Sequence, residues 1–143
     1  MINTLVTDTG DDIVGIFSVR KKAYKAYRGD KISIALALLT DADEVVTYNG
    51  NHADLKQLGK FARLADNQAL PLKGVHTDMR EIVWSERIWG RNLSCTYHIH
   101  FKKIPTFPDT HEGSNERDVY MTLKLWKLWK ASKLKILDGQ EIH

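Results

Sequence analysis

Three aspartates stand where the chain changes character. Asp8 closes a β-rich run from Ile2, and Asp54 and Asp118 each fall in the first turn of a helical stretch. Carboxylates are hard oxygen ligands suited to Mg²⁺ or Mn²⁺. Two such ions about 3.5–4 Å apart can stabilise both the attacking and the leaving oxygen when a phosphodiester is hydrolysed. One strand or helix cannot surround two ions, so the ligands must come from distant segments, and Asp8, Asp54 and Asp118 have that arrangement. The plainer reading of an aspartate in a first helical turn is that it complements the helix dipole. Asp8 to Asp12 also reads as a polar hairpin turn.

Other chemically capable side chains are weaker pointers. His98-Ile99-His100, if extended, would set two imidazoles on one face, and with His76 or His111 they could bind zinc. Six histidines without ligand-spaced cysteines favour a surface or substrate-groove placement instead. Cys95 is the single cysteine, so no intramolecular disulfide forms. That fits a reducing, cytosol-like compartment, with Cys95 as a small buried or half-buried residue. Arg20, Lys21, Lys22, Lys25 and Arg28, interleaved with Tyr24 and Tyr27, could steer a phosphate backbone. They read equally as the solvated charges of an edge strand.

The elements that must position these groups are legible in outline. Ile2 to Asp8, Ile13 to Val19 and Ala23 to Tyr27 read as strands joined by short turns, which makes them antiparallel neighbours. The second is nearly all apolar, as in a strand buried on both faces. Asp30 is placed to cap a helix carrying Ile32, Ala35 and Leu39. Glu44 to Tyr48 reads as a strand ending in Asn49-Gly50-Asn51, and Ala53 to Leu64 as a helix. Pro71 to Thr77 carries another short strand, and Asp78 begins a helix through Trp84. Residues 90–113, with Gly90, Pro105, Pro108 and Gly113, read mostly as loop. Ser114 or Asn115 can cap a last helix running to about Ser132. Its Trp126, Trp129 and leucines are expected to pack on the sheet, with Lys124, Lys127 and Lys130 in solvent rather than on a membrane. The order β-β-β-α-β-α-β-α-α gives a mixed α/β sheet of about five strands with helices on both faces.

The chain of 143 residues reads as one domain, residues 1–143, long enough for a real core. Its net charge of +3, from 21 basic and 18 acidic side chains, is too small to define a polyanion partner, so the placement of charge matters more. No apolar run approaches the ~18 residues that span a bilayer. Met1 to Leu5 does not open a signal peptide. A cytoplasmic location, away from membranes, is the expectation.

Val45-Val46-Thr47-Tyr48-Asn49-Gly50-Asn51-His52-Ala53-Asp54 is a strand, a sharp turn and a helix start. It resembles the second motif of the DEDD (DnaQ-like) 3′–5′ exonucleases. The nearest look-alikes are the exonuclease domains of family B DNA polymerases and their stand-alone bacterial relatives, many of which carry Tyr-Asn-Gly-x-x-Phe-Asp there. Ser114-Asn115-Glu116-Arg117-Asp118-Val119 is similar to the third motif, an Asp-Val in the first turn of the last core helix. His76-Thr77-Asp78-Met79-Arg80 is similar to the family's strand-to-helix junction, and the resemblance spans roughly residues 2 to 130. It implies a ribonuclease H-like mixed five-stranded sheet with helices on both faces. It further implies two Mg²⁺ or Mn²⁺ ions held by Asp8, Asp54 and Asp118, and 3′–5′ hydrolysis at the ends of single-stranded DNA or RNA. Tyr48, Asn49, Asn115 and Arg117 would lie along the nucleic acid, with Asn49 supporting the site.

Three positions depart from the family pattern. Gly10 stands where the first motif, Asp-x-Glu, has its Glu, and Asp11 or Asp12 could supply that carboxylate. Ala53 replaces the usual Phe. Ser114 takes the place of the Tyr that positions the attacking water. Ser114 is too short to copy a phenol, so His111, upstream in a loop that could fold over the metals, is expected to take that task. The alternative is a catalytically degenerate exonuclease-like domain that binds nucleic acid or a protein partner.

Overall fold

The computed structural model describes residues 2–84 and 92–137. Side-chain alternation in the strands lays out its two cores. In strand β1 (Thr4–Thr9), successive residues Leu5 and Val6 point to opposite faces, and both are buried. Strand β2 (Ile13–Ser18) pairs antiparallel with β1, setting Asp8 opposite Gly15, and β3 (Ala23–Arg28) pairs antiparallel with β2. On the other side, β4 (Glu44–Thr47) runs parallel to β1, and β5 (Val75–Asp78) runs parallel to β4. The sheet order is β3-β2-β1-β4-β5, a mixed sheet of five strands.

Helices cover both faces. Leu5 and Val45 meet Ile32, Ala35 and Leu39 of α1 (Ile32–Asp41) and Leu55 and Leu58 of α2 (Asp54–Phe61). Their neighbours Val6 and Val46 meet the opposite core. It is built from α3 (Met79–Val83), with Met79 and Val83, and the long α5 (His111–Lys130), with Val119, Leu123 and Trp126. Trp129 stays 36% exposed, so only the first of the two helix tryptophans packs as expected. Because β1, β4 and β5 are parallel, their C-terminal ends gather Asp8, the turn at Asn49 and Asp78 at one edge.

Four local expectations give way. Asp30 does not cap α1: the chain enters through a 3₁₀ turn, Gly29–Lys31, so Asp30 already lies inside it. The strand expected from Pro71 is confined to Val75–Asp78. Within residues 92–113, read as loop, Leu93–Phe101 form a helix, α4, while Gly90 lies outside the described residues. Asn92 caps α4 by accepting from the Cys95 N–H at 2.8 Å, and Tyr97 stacks on Phe101 with ring centroids 4.5 Å apart. The segment lacks the regular apolar stripe of an amphipathic helix, which is why its pattern does not announce it. Finally, α5 begins at His111. Thr110 caps it, accepting from the Gly113 N–H at 2.9 Å, so Ser114 and Asn115 are interior helical residues. Among the described residues no helix is long and apolar enough to cross a membrane.

Candidate active site

Asp8 sits near the end of β1, Asp54 is the first residue of α2, and Asp118 lies in the third turn of α5 rather than the first. These elements bring the three carboxyls into one electrostatic neighbourhood. The Asp8 carboxyl is held well above the usual carboxylate range, by burial and then by repulsion from Asp54 and Asp118. Burial pushes Asp54 up to about 6, with Asp78 and Asp118 adding repulsion against the hydrogen bonds from Thr9. Asp118 is raised by burial while the Arg117 guanidinium pulls it back. Burial penalises the charged form, and like charges add to the penalty.

Neutral donors hold the carboxyls in place. The Thr9 hydroxyl donates to Asp54 Oδ1 at 2.6 Å and the Thr9 N–H to the same oxygen at 3.2 Å, tying α2 to β1. Asn115, only 4% exposed, donates from Nδ2 to the Asp8 carbonyl at 2.9 Å and reaches Asp8 Oδ2 at 3.5 Å. Its Oδ1 accepts from the Tyr24 hydroxyl at 2.7 Å. A Cβ on Gly15 would lie 1.6 Å from Asn115 Oδ1, so the residue opposite Asp8 must be glycine for this brace to fit. Asn115 thus lines the first cleft from a nearly buried position, its side chain engaged by Tyr24 and Asp8. Arg117 Nε sits 3.4 Å from Asp118 Oδ1, half exposed and able to turn to a phosphate.

Two clefts share one wall. The first, about 300 Å³, is lined by Asp8, Asp11, Asp12, His111, Ser114 and Asp118 among others. The second, about 370 Å³, is lined by Asp54, His52, Gln57 and Lys60 among others, and Thr9-Gly10-Asp11 belong to both. His111, Ser114 and Asp118 meet in the first cleft because a helix repeats every 3.6 residues, and these residues are spaced three and then four apart. The structure thus sets His111 on a helical face rather than in a loop. A side chain at Gly10 would require Ile13 to shift, since a Cβ there would meet Ile13 Cγ2 at 2.8 Å. Asp11 and Asp12 are exposed on the adjoining turn.

Other sequence-selected residues have structural tasks. Asn49 adopts the left-handed conformation, φ 66°, and its N–H donates to Asp78 Oδ1 at 2.7 Å, while its own Oδ1 is buried without a hydrogen-bond partner. Tyr48 turns to the opposite core, its hydroxyl 2.5 Å from Thr96 Oγ1, and so pins α4 instead of lining either cleft. His98 and His100 lie on a helix, where a two-residue step turns them about 200° apart, so they do not share a face. His76 is held between Thr47 Oγ1 at 2.8 Å and Asn51 Oδ1 at 3.0 Å. Arg20, Lys21 and Lys22 occupy the β2–β3 turn, at the end of the sheet away from Asp8. Sequence reasoning passes over Thr9, Gln57 (which donates to the Gly10 carbonyl at 3.2 Å) and the buried brace of Tyr24. Their only signal is proximity to Asp8 in the folded chain.

The donor set suits a hard cation: buried oxygen ligands carrying more negative charge than their surroundings balance. The arrangement is looser than a finished ligand cage. Among the described residues, no three His, Cys, Asp or Glu side chains converge closely enough to hold a metal ion.

No protein-family model matches the chain. No curated protein matches it either. Among solved structures it is similar to the family B DNA polymerase from the hyperthermophilic archaeon Pyrobaculum calidifontis. The TM-score is 0.59 and the identity 16%, over 90% of this chain and 25% of the polymerase. The chain thus spans about a quarter of that protein's length, and the likeness is one of fold. The fold is α/β, a mixed five-stranded sheet with helices on both faces, consistent with the ribonuclease H-like class.

Proposed function

We propose that this chain is a metal-dependent 3′–5′ exonuclease acting on ends of single-stranded DNA or RNA. The observation that supports the reading is that Asp8, Asp54 and Asp118, carried by three distant elements, lie in two adjoining clefts near enough for Asp54 and Asp118 to raise Asp8 by repulsion, with burial raising all three. Asp8, Asp54 and Asp118 would have to draw closer to hold Mg²⁺ or Mn²⁺, with Asp11 or Asp12 supplying the carboxylate where the family pattern has a glutamate. When bound, such ions stabilise charge on the attacking and leaving oxygens.

The chain's own groups then divide the remaining work. Thr9 and Asn115 fix Asp54 and Asp8 through neutral hydrogen bonds and so leave their negative charge available. Arg117 offers a guanidinium to a phosphate beside Asp118. His111, one face-turn beyond Ser114, is the cleft's imidazole and the candidate to orient the attacking water.

A second reading, a degenerate domain that binds nucleic acid or a protein partner without cutting, is favoured by Gly10, where a side chain would crowd Ile13. One experiment separates the two. An end-labelled single strand is incubated with the chain and Mn²⁺. Release of mononucleotides, lost in Asp54→Ala, supports the enzyme. Binding without release supports the second reading, and release unaffected by Asp54→Ala refutes the site.

A further inference from the structure

On the flank of α5 away from the cleft lies a slot of about 190 Å³, walled by the rings of Phe17, Tyr24, Phe107 and Tyr120, with Val119 at its base. Glu116 is the one charged residue in its lining. The slot belongs to neither cleft, yet Glu116 follows directly on Asn115, and Tyr24 reaches Asp8 through Asn115. It therefore adjoins the candidate active site through one short relay.

The walls are built rather than accidental. Phe107 and Tyr120 lie with ring centroids 5.9 Å apart and planes tilted by 54°, packed against each other as one aromatic wall on which a flat ring could lie. Tyr120 remains 37% exposed, and its phenol lies beside that of the buried Tyr97, which burial and then Tyr120 raise. Lys124 Nζ stands 5.9 Å from the Tyr120 centroid and 5.6 Å from that of Phe101. One turn on, Lys127 is exposed along the same helix. Aromatic walls with cations spaced beside them are the composition of a single-strand platform, where bases stack and phosphates meet lysines. The carboxylate adds selectivity, because it accepts hydrogen bonds and offers none.

We infer that this slot takes an unpaired nucleobase carrying an exocyclic amino group. The ring would stack on Tyr120 and Phe107, its amino group would donate to Glu116, and adjacent phosphates would meet Lys124 and Lys127. The inference rests on the reading that the fold handles nucleic acid, but it concerns binding and needs neither Asp54 nor a metal ion.

The test is fluorescence anisotropy of the full chain in the presence of a chelator, with three probes: oligodeoxycytidine, oligothymidine and an abasic strand of equal length. Wild type should bind them in that order of decreasing affinity. Tyr120→Ala and Phe107→Ala should each weaken oligodeoxycytidine binding about ten-fold and leave the abasic strand unchanged, as expected for a lost base stack. Tyr120→Phe should retain binding, which separates stacking from misfolding. Glu116→Gln, whose amide can donate as well as accept, should narrow the preference for cytosine over thymine. Equal affinity for intact and abasic strands, or no binding of either, overturns the slot. Neither result touches the Mn²⁺ cleavage assay, so the two readings fail separately.

Discussion

Asp54→Asn should make the metal-free protein more stable at neutral pH and abolish the proposed nuclease activity at the same time. The Asp54 carboxyl, 5% exposed, is pushed from 3.8 up to about 6, burial being the main cause. An acid whose folded value is raised costs nothing below its unfolded value. The cost grows as pH climbs between the two values and is complete above the folded one. Here the window runs from 3.8 to about 6. At about 1.4 kcal/mol for each tenfold, the full cost above that window is about 3 kcal/mol. Asparagine carries no charge, and its Oδ1 still accepts from Thr9. The net stabilisation should be about 1–3 kcal/mol, or a Tm rise of several degrees for a chain of this size. The assay is thermal unfolding of both proteins with chelator at about pH 8 and again near pH 4, where the linkage argument makes the difference vanish. Added Mn²⁺ should then raise the wild-type Tm more than that of the variant. If Asp54→Asn is no more stable than wild type at the higher pH, or its advantage persists unchanged in acid, Asp54 is not a frustrated carboxylate and the charge argument fails.

Further outcomes follow from the same geometry. Asn115→Ala strips Tyr24 and Asp8 of their shared partner and should cost about 1–3 kcal/mol by urea unfolding. A cycle with Tyr24→Phe should give a non-additive remainder. His76 has its folded value lowered by burial, so the neutral form is favoured and stability should fall as pH drops below 6.5. His76→Gln should flatten that acid limb in a pH series of melts. Gly10→Glu should destabilise by about 1–3 kcal/mol through the contact with Ile13 and should not raise the cleavage rate. A rate increase would show the turn to be more yielding than its packing indicates. His111→Ala should slow single-turnover cleavage by ~10²-fold if His111 orients water, and an unchanged rate would remove it from the mechanism.

What the sequence makes legible is the part governed by local pattern. The β-β-β opening, the Asn-Gly turn before Asp54 and the acidic positions on α2 and α5 follow from alternation, turn chemistry and helical spacing. Side-chain partnership across the fold is a different matter. Tyr24 and Asn115 are 91 positions apart, and nothing in either segment says that they meet. Tyr48 sits within the most recognisable motif, yet it faces Thr96 and Trp84, because the strand's alternation turns it from the cleft to the opposite core. The helix at Leu93–Phe101 escapes notice for want of a stripe, and the start of α5 moves to His111 because Thr110, upstream of two better-known capping residues, takes the cap position.

The contrast between Asp54 and Asp78 argues for a site rather than for three helix-capping aspartates. Both are 5% exposed, and both stand at a strand–helix junction. Asp78 is fully employed: its carboxylate accepts from the Asn49 N–H at 2.7 Å, the Arg80 N–H at 3.1 Å and the Asn51 N–H at 3.2 Å. Backbone donors on both oxygens are how a fold settles a structural carboxylate. Asp54 has its donors from Thr9 on one oxygen, in the neighbourhood of Asp8 and Asp118, where the part-exposed Arg117 is the cation that pulls Asp8 and Asp118 back. Selection for stability alone would replace such a carboxylate with the isosteric amide, which the same threonine could hold. A buried carboxylate in a cluster of like charge is costly, and the proposed cation site would account for it.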